Sequence, residues 1–171
     1  MEAAHSIKLN PERTIRVERR GGMADRSKAA VIREMNQKDL DDVVAIDTKV
    51  LGKSRWDYWL MKMSLAEQRL PIASLVAEAD GKVVGFILGD ASGYEYDVPE
   101  NIGWIDTIGV DPAYQKQGIA QMLMKEVIAN LKKVGVDTVY TMVNWPDWSL
   151  LKFFHAFGFQ KGPLINLELK L

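Results

Sequence analysis

The sequence predicts an α/β fold (α+β) in which helices cover the faces of one mixed central sheet. Short stretches with alternating apolar residues predict strands, and longer stretches with apolar residues at helical spacing predict helices. Hairpin signals come first along the chain and a β-α-β unit follows, so both antiparallel and parallel strand pairs are expected. With 171 residues, of which 47% are hydrophobic, the chain can bury one sizeable core.

The first predicted elements are a strand and two helices. The strand covers residues 30–35. Asn36 can cap the first helix, because its side chain accepts hydrogen bonds from unpaired N–H groups of the first turn, and Gly52 ends that helix. The second helix is predicted over residues 54–70 and is aromatic at its start.

The middle of the chain predicts three strands. Residues 72–79 and 83–88 flank Asp80-Gly81, a dipeptide typical of tight hairpin turns. A polar loop follows. Residues 103–110 then form the third of these strands, which Asp111-Pro112 ends.

The last part of the chain predicts two helices and two strands. Apolar residues recur at helical spacing from Gly118 to Val134. Residues 136–143 are predicted as a strand and residues 146–158 as a helix. Residues 164–171 alternate like a final strand.

Composition excludes several classes of function. Lys and Arg number 22 and Asp and Glu 23, so a net charge of −1 argues against nucleic acid as the main partner. There are no cysteines and two histidines, which excludes disulfides, thiolate metal sites and a cysteine nucleophile. No metal and no membrane segment are predicted, and a cytoplasmic location is expected.

Residues 1–29 are predicted to be a basic N-terminal arm, separate from a domain at residues 30–171. The arm has seven basic and four acidic side chains, a net charge of +3. Two interpretations stay open at this point: a flexible tail, or an arm that docks on the domain or on a partner.

The strand-to-helix junction at residues 105–120 is the most informative segment. The helix starts at Gly118, and the N–H groups at a helix start bind phosphates. Gly118 and Ala120 leave the backbone accessible, and Gln115 and Lys116 can add side-chain donors. By itself, the segment is equally consistent with an ordinary turn before a helix.

Three motifs follow one another along residues 30–171. They are the early Ile32-Arg33 with Asp39-Leu40, then Gln115-x-x-Gly118-x-Ala120 after Val110-Asp111-Pro112, and last Phe154-x-x-x-Gly158-Phe159. Their types and order resemble the GNAT (GCN5-related) N-acetyltransferase superfamily, and the loop resembles its pyrophosphate-binding signature Q/R-x-x-G-x-G/A. The resemblance implies a mostly antiparallel sheet of six to seven strands flanked by about four helices, and the arm lies outside it.

The resemblance implies that acetyl-CoA is the cosubstrate and that an amine attacks its thioester directly. Asp106, four positions before the final Val of the strand, would accept the proton of the amine. Alternation along the strand is expected to place Asp106 on one face with Ile108 and Val110. A surface aspartate without a catalytic role is the alternative.

The implied cofactor contacts lie on the strand, on the loop and after the next strand. A backbone N–H near Val110 would stabilise the negative charge that develops on the thioester oxygen. The backbone of Ile108, Gly109 and Val110 would pair with the pantetheine arm. The full set is Ile108, Gly109, Val110, Gln115, Lys116, Gln117, Gly118, Ile119, Ala120 and Asn144.

Two positions depart from the pattern of the family. Phe154 stands where a tyrosine often protonates the leaving thiolate, and phenylalanine cannot donate a proton. Water, Tyr114, Tyr140 or His155 can substitute, although His155 is expected to be an ordinary helix residue. Asp147 stands where the family usually has a cofactor-contacting asparagine, and it can instead cap a helix. Asn144 can partly take over the role of that asparagine.

The acceptor site is predicted to be acidic and aromatic. Five acids and no Lys or Arg lie between residues 90 and 106, and such a wall would attract a cationic amine. The candidate substrate-binding residues are Trp56, Tyr94, Glu95 and Tyr96. The alternative is a solvated loop with core aromatics, and Trp56 and Trp59 fit a core role.

The sequence therefore predicts an acetyl-CoA-dependent N-acetyltransferase for a primary amine, either a cationic small molecule or a protein amino group. A non-catalytic acyl-CoA-binding regulatory module is the alternative, because of Phe154 and Asp147. A third alternative is an interaction domain that uses the basic arm. The resemblance also implies that the chain can form a homodimer.

Overall fold

The computed structural model describes residues 30–91 and 101–170, and the predicted arm at residues 1–29 lies outside them. Five strands form one sheet in the order β1-β2-β3-β4-β5. They are β1 Val31–Glu34, β2 Ser74–Ala79, β3 Lys82–Ala91, β4 Ile102–Val110 and β5 Thr138–Thr141. Neighbouring strands are antiparallel except β4 and β5, which are parallel. The predicted mixed sheet is confirmed.

Within the described residues, four α-helices flank the sheet. They are α1 Leu40–Leu51, α2 Trp56–Arg69, α3 Ile119–Lys133 and α4 Trp148–Ala156. Successive side chains of β3 point to opposite faces of the sheet, so this strand contributes to two separate hydrophobic cores. Ile87 packs in a cluster with Leu123 of α3. Phe86 packs in the other cluster with Val43 of α1 and Trp59 of α2.

A short hydrogen-bonded network fixes the 3-10 turn Gln37–Asp39, which leads directly into α1 at Leu40. Asn36 accepts from the N–H of Lys38, while its own N–H donates to Asp39. Burial disfavours the ionised form of Asp39, but the hydrogen bonds from Arg33 and the Asn36 N–H outweigh it and lower its pKa. Arg33 also donates to Glu78, so β1, β2 and the start of α1 are tied together.

The predicted final strand is wrong for residues 164–170. These residues are not in a strand, and Leu167 and Leu169 are 85% and 82% exposed. The described part of the sheet therefore has five strands, fewer than the six to seven expected. Alternation indicates which faces a strand would present, but a strand also needs a hydrogen-bonding partner, and β5 pairs only with β4 among the described strands.

Candidate active site

The candidate active site starts where β4 and β5 separate. Their parallel pairing ends at Ile105 opposite Thr141, where the Thr141 hydroxyl donates to the Ile105 carbonyl oxygen over 2.9 Å. β4 continues to Val110, whereas β5 stops. In the part of the chain that the structure describes, the β5-facing edge of residues 106–110 has no strand partner. An extended ligand with amide groups can pair with such an edge.

The candidate cofactor residues on β4 have different surroundings. Ile108 is half-buried and Val110 buried, and both pack in the cluster that includes α3. Gly109 has a packing reason to be glycine, because a Cβ there would lie 2.5 Å from the Phe86 ring. These three residues therefore hold β4 in place, and their backbone is the part available to a ligand.

The phosphate loop, residues 115–120, has backbone geometry suited to an anion. Lys116 and Gly118 both have left-handed backbone conformations, with φ of 61° and 86°. Such alternation turns successive N–H groups toward one side of a turn, a geometry that binds phosphate. No side chain caps the start of α3 at Gly118, and a Cβ added there would meet nothing within 4 Å. The backbone at the start of α3 is therefore accessible on the side of Gly118 where a side chain would lie.

Neighbouring residues brace the phosphate loop. The Gln115 side chain donates to the Val110 carbonyl oxygen, so this predicted phosphate donor is tied to the end of β4. Asp111 accepts from Lys49 over 2.6 Å and from the Ala113 N–H over 2.9 Å. These two hydrogen bonds, that of Lys49 above all, lower the pKa of Asp111. The loop is thus connected both to its own strand and to α1.

Asp106 is the extra residue of a β-bulge in β4. Leu88 lies opposite Thr107 and Gly89 opposite Ile105, so no β3 residue remains to face Asp106. Bulges change the direction of a side chain. Asp106 contacts Lys62 of α2, whereas Ile108 and Val110 pack on the α3 side. The expectation that Asp106, Ile108 and Val110 share one face is therefore wrong, because the bulge interrupts the alternation.

Lys62 supplies a positive charge that the sequence analysis did not assign to the site. Its ammonium lies 2.5 Å from the Asp106 carboxylate, and both side chains are about one-third exposed. Burial disfavours the charge on Lys62, but the hydrogen bond from Lys62 to Asp106 outweighs it and raises the pKa of Lys62. One turn earlier on α2, Tyr58 lies 5.9 Å from the same ammonium.

Arg69 repeats this arrangement two turns further along α2. It donates to Asp90 of β3 over 3.1 Å. Both ion pairs line one small cavity of about 50 Å³. Lys62 and Arg69 are seven residues apart on a predicted helix. That spacing indicates that both bases lie on the same helix face, and it could have been read from the sequence.

The predicted acceptor wall is described only in part. Tyr94, Glu95 and Tyr96 lie outside the described residues. Trp59 is fully buried as a core residue, but Trp56 is 44% exposed at the start of α2, so the core interpretation holds for Trp59 alone.

The helix after β5 explains both departures from the family pattern. Phe154 is 4% exposed and packs edge-on against Phe159, so this position is part of the core. Asp147 accepts from the Leu150 N–H over 2.9 Å and caps α4, the alternative role that its sequence suggested. His155 is exposed, as expected. Asn144 is exposed in the loop between β5 and α4.

A larger cavity of about 1060 Å³ lies elsewhere. It is lined by β5, α4 and the segment that follows α4, including Tyr140, Phe154 and Pro163. Its described lining includes neither Asp106 nor the phosphate loop. This cavity exists because the last segment does not pair with β5, so it is a feature of the sheet edge.

Residues 30–91 and 101–170 contain neither a candidate metal site nor a candidate membrane span. No group of three or more His, Cys, Asp or Glu side chains there could hold a metal ion. No helix in those ranges combines the length and the apolar character needed to cross a membrane.

The chain belongs to the acetyltransferase (GNAT) family, whose profile matches residues 33–159. The resemblance seen in the sequence is therefore confirmed. An uncharacterized N-acetyltransferase of Methanocaldococcus jannaschii is 26% identical over 152 residues, which cover 84% of this chain and 66% of that protein. The N-alpha-acetyltransferase RimI of Mycobacterium tuberculosis is 35% identical over 89 residues, half of each chain. The chain thus spans less than two thirds of these relatives.

A solved structure shows the same fold. It is the aminoglycoside N-acetyltransferase AAC(6')-Iy in complex with CoA, with a TM-score of 0.72 and 21% sequence identity. The match covers 86% of this chain and 99% of that chain.

Proposed function

We propose that this protein is an acetyl-CoA-dependent N-acetyltransferase that acts on a primary amine. The observation that carries this proposal is the unpaired edge of β4, with the Asp106 carboxylate at one end and the phosphate loop following its other end. That arrangement offers a proton acceptor, a backbone edge and an anion site in sequence along β4 and the loop that follows it. Membership of the GNAT family supports the proposal.

Asp106 would act as the general base. An alkylammonium has a pKa near ~10, so at neutral pH the amine must lose a proton before it can attack a thioester. The bulge directs the Asp106 carboxylate toward α2, and Lys62 already shows that an ammonium can hydrogen-bond to it.

The backbone would hold acetyl-CoA in this proposal. N–H groups of residues 115–120 would bind the pyrophosphate, with Lys116 adding a charge, and the edge at residues 108–110 would pair with the pantetheine amides. A backbone N–H near Val110 would stabilise the thioester oxyanion. Asn144, exposed beyond the end of β5, would also contact the cofactor.

The buried Phe154 cannot donate a proton, so the leaving thiolate would take its proton from water. Tyr114 packs against the core, and Tyr140 packs against Trp104 with ring centroids 5.3 Å apart. A thiolate needs little assistance, because the pKa of a thiol is near ~8.5.

The acceptor would be a cationic amine. Asp90 and Asp106 face the small cavity, and exposed Trp56 can contribute a cation–π surface. The names of the relatives refer to an aminoglycoside acetyltransferase and to an N-alpha-acetyltransferase. Small polyamines and proteins both carry primary amino groups, and a panel of amines distinguishes between them.

The direct test is thiol release with a panel of amines. Purified protein, acetyl-CoA and each amine are mixed, free CoA thiol is followed with a thiol reagent, and the acetylated product is confirmed by mass spectrometry. We expect at least one amine to give product with one thiol released per acetyl group. If acetyl-CoA binds and no primary amine of any class releases thiol, the alternative of a non-catalytic acyl-CoA-binding module replaces this proposal. The buried Phe154 is the observation that favours that alternative.

We propose in addition that the chain forms a homodimer through the open edge of β5 and the segment at residues 164–170. The supporting observation is the exposure of Ile165, Leu167 and Leu169 beside a strand whose outer edge is unpaired in the described sheet. Sedimentation velocity should show a dimer for the natural sequence and a monomer for the double variant Leu167→Lys, Leu169→Lys. A natural chain that stays monomeric at all concentrations would contradict this. The cytoplasmic location stays a prediction.

A further inference from the structure

Lys62 places a primary amine at the position that the proposed reaction needs for its acceptor. Its Nζ lies 2.5 Å from the Asp106 carboxylate, within the cavity that Asp106 and Asp90 line. The side chain is 31% exposed, so Lys62 is not a core residue. α2 therefore presents to the candidate base the same chemical group that a substrate would present.

We propose that Lys62 is a self-acetylation site, modified within the same molecule when acetyl-CoA is bound and no acceptor amine is present. In this step the Lys62 nitrogen forms a bond to the thioester carbonyl carbon and the carbon–sulfur bond breaks. One proton of the ammonium goes to Asp106 before the attack. The attacking nitrogen then loses a second proton, which reaches the leaving CoA thiolate through water. The products are acetyl-Lys62 and free CoA. This inference rests on the proposed N-acetyltransferase function.

Proximity is the reason that this lysine would react before the others. Groups held in place react as if at very high local concentration, so a lysine tethered to α2 at the base has an advantage of several orders of magnitude over a free amine. The raised pKa of Lys62 makes the neighbouring base necessary, because the charged form cannot attack. Exposed lysines such as Lys53 and Lys82 have no such partner in the hydrogen bonds and ion pairs that the structure describes.

Acetylation would change the electrostatics of the acceptor site. An acetylated lysine has no positive charge, so Asp106 would lose its ammonium partner and become available to an incoming amine. Before acetylation, an acceptor must displace Lys62 from Asp106. Self-acetylation would therefore increase acceptor turnover after an initial slow phase.

The test is a time course of acetyl incorporation. The full chain is incubated with acetyl-CoA alone, and digestion with peptide mass spectrometry gives the rate at each lysine. We expect Lys62 to be acetylated more than ~10-fold faster than Lys53 and Lys82. The rate should not change on dilution of the protein, and Asp106→Asn should remove the advantage of Lys62 but leave the other lysines unaffected. Lys62→Arg, which keeps the charge but lacks a nucleophilic amine, should show only the slow background.

The outcomes separate this inference from the proposed function. Acetylation of Lys62 at the same rate as Lys53 and Lys82, or a rate proportional to protein concentration, overturns the inference. If an added amine causes thiol release, but Lys62 stays unmodified in protein incubated with acetyl-CoA alone, the inference is overturned and the proposed function stays intact. A saturating acceptor amine should slow the modification of Lys62, because both compete for Asp106.

Discussion

Replacement of Asp106 by asparagine should slow acetyl transfer by about 10²–10⁴-fold at neutral pH, the usual contribution of a general base. Asparagine keeps the shape of the side chain but cannot accept the proton of an ammonium. The bulge at Asp106 is a property of the backbone pairing with β3, so the variant should keep the fold. The measurement is kcat/KM from thiol release with the best amine of the panel, across a pH series.

The loss should shrink as pH rises toward the pKa of the acceptor amine, because a larger fraction of the amine is then already neutral. Asp41→Asn on the exposed face of α1 is the matched control and should keep full activity. Asp90→Asn, a second carboxylate in the same cavity, tests whether any acid there suffices. Full activity of Asp106→Asn at neutral pH, with an unchanged melting temperature, would eliminate Asp106 as the base.

Much of the fold could be predicted because its signals are local. The phosphate loop depends on a few consecutive residues, and its glycine, its proline-free backbone and the following helix are all visible in the sequence. The structure shows the left-handed conformation at Gly118 that such a loop needs. The cap at Asn36 and the turn at Asp80-Gly81 are local in the same way.

The environment of Asp106 could not be predicted, because it depends on long-range contacts. Lys62 precedes Asp106 by 44 residues, and their contact requires α2 to pack on the sheet at one particular position along β4. The bulge is a mismatch in register between β3 and β4, which no single strand pattern contains. The sequence showed that residues 90–106 are rich in acids. It did not show that bases of α2 pair with Asp90 and Asp106.

The pairing of these charges also changes how acceptor recognition is understood. A wall of free carboxylates would attract any cation, whereas Asp106 and Asp90 are already paired with Lys62 and Arg69. In the proposed reaction an acceptor amine would have to exchange with these bases, and exposed ion pairs of this kind contribute only about 0–1 kcal/mol, so exchange is feasible. Selectivity would then depend on how well an amine replaces two bases spaced two helical turns apart.

Replacement of Gly118 by glutamate should abolish acetyl-CoA binding. The left-handed backbone at Gly118, with φ of 86°, suits glycine and costs another residue about 1–2 kcal/mol. The new side chain would lie at the accessible start of α3, since nothing lies within 4 Å of a Cβ there. Its carboxylate would repel phosphate, and like charges brought together cost several kcal/mol. Isothermal titration calorimetry should show affinity weakened by more than ~100-fold.

Gly135→Glu is the matched control for this prediction. Gly135 also has a left-handed backbone, with φ of 88°, and its Cβ position is equally open, but it follows the opposite end of α3. Both variants should therefore lose similar stability, whereas only Gly118→Glu should lose acetyl-CoA affinity and the rise in melting temperature that acetyl-CoA produces. If both variants keep the acetyl-CoA affinity of the natural sequence, the start of α3 does not bind the pyrophosphate. An equal loss in both would show that the effect is general destabilisation, because Gly135 is remote from the loop.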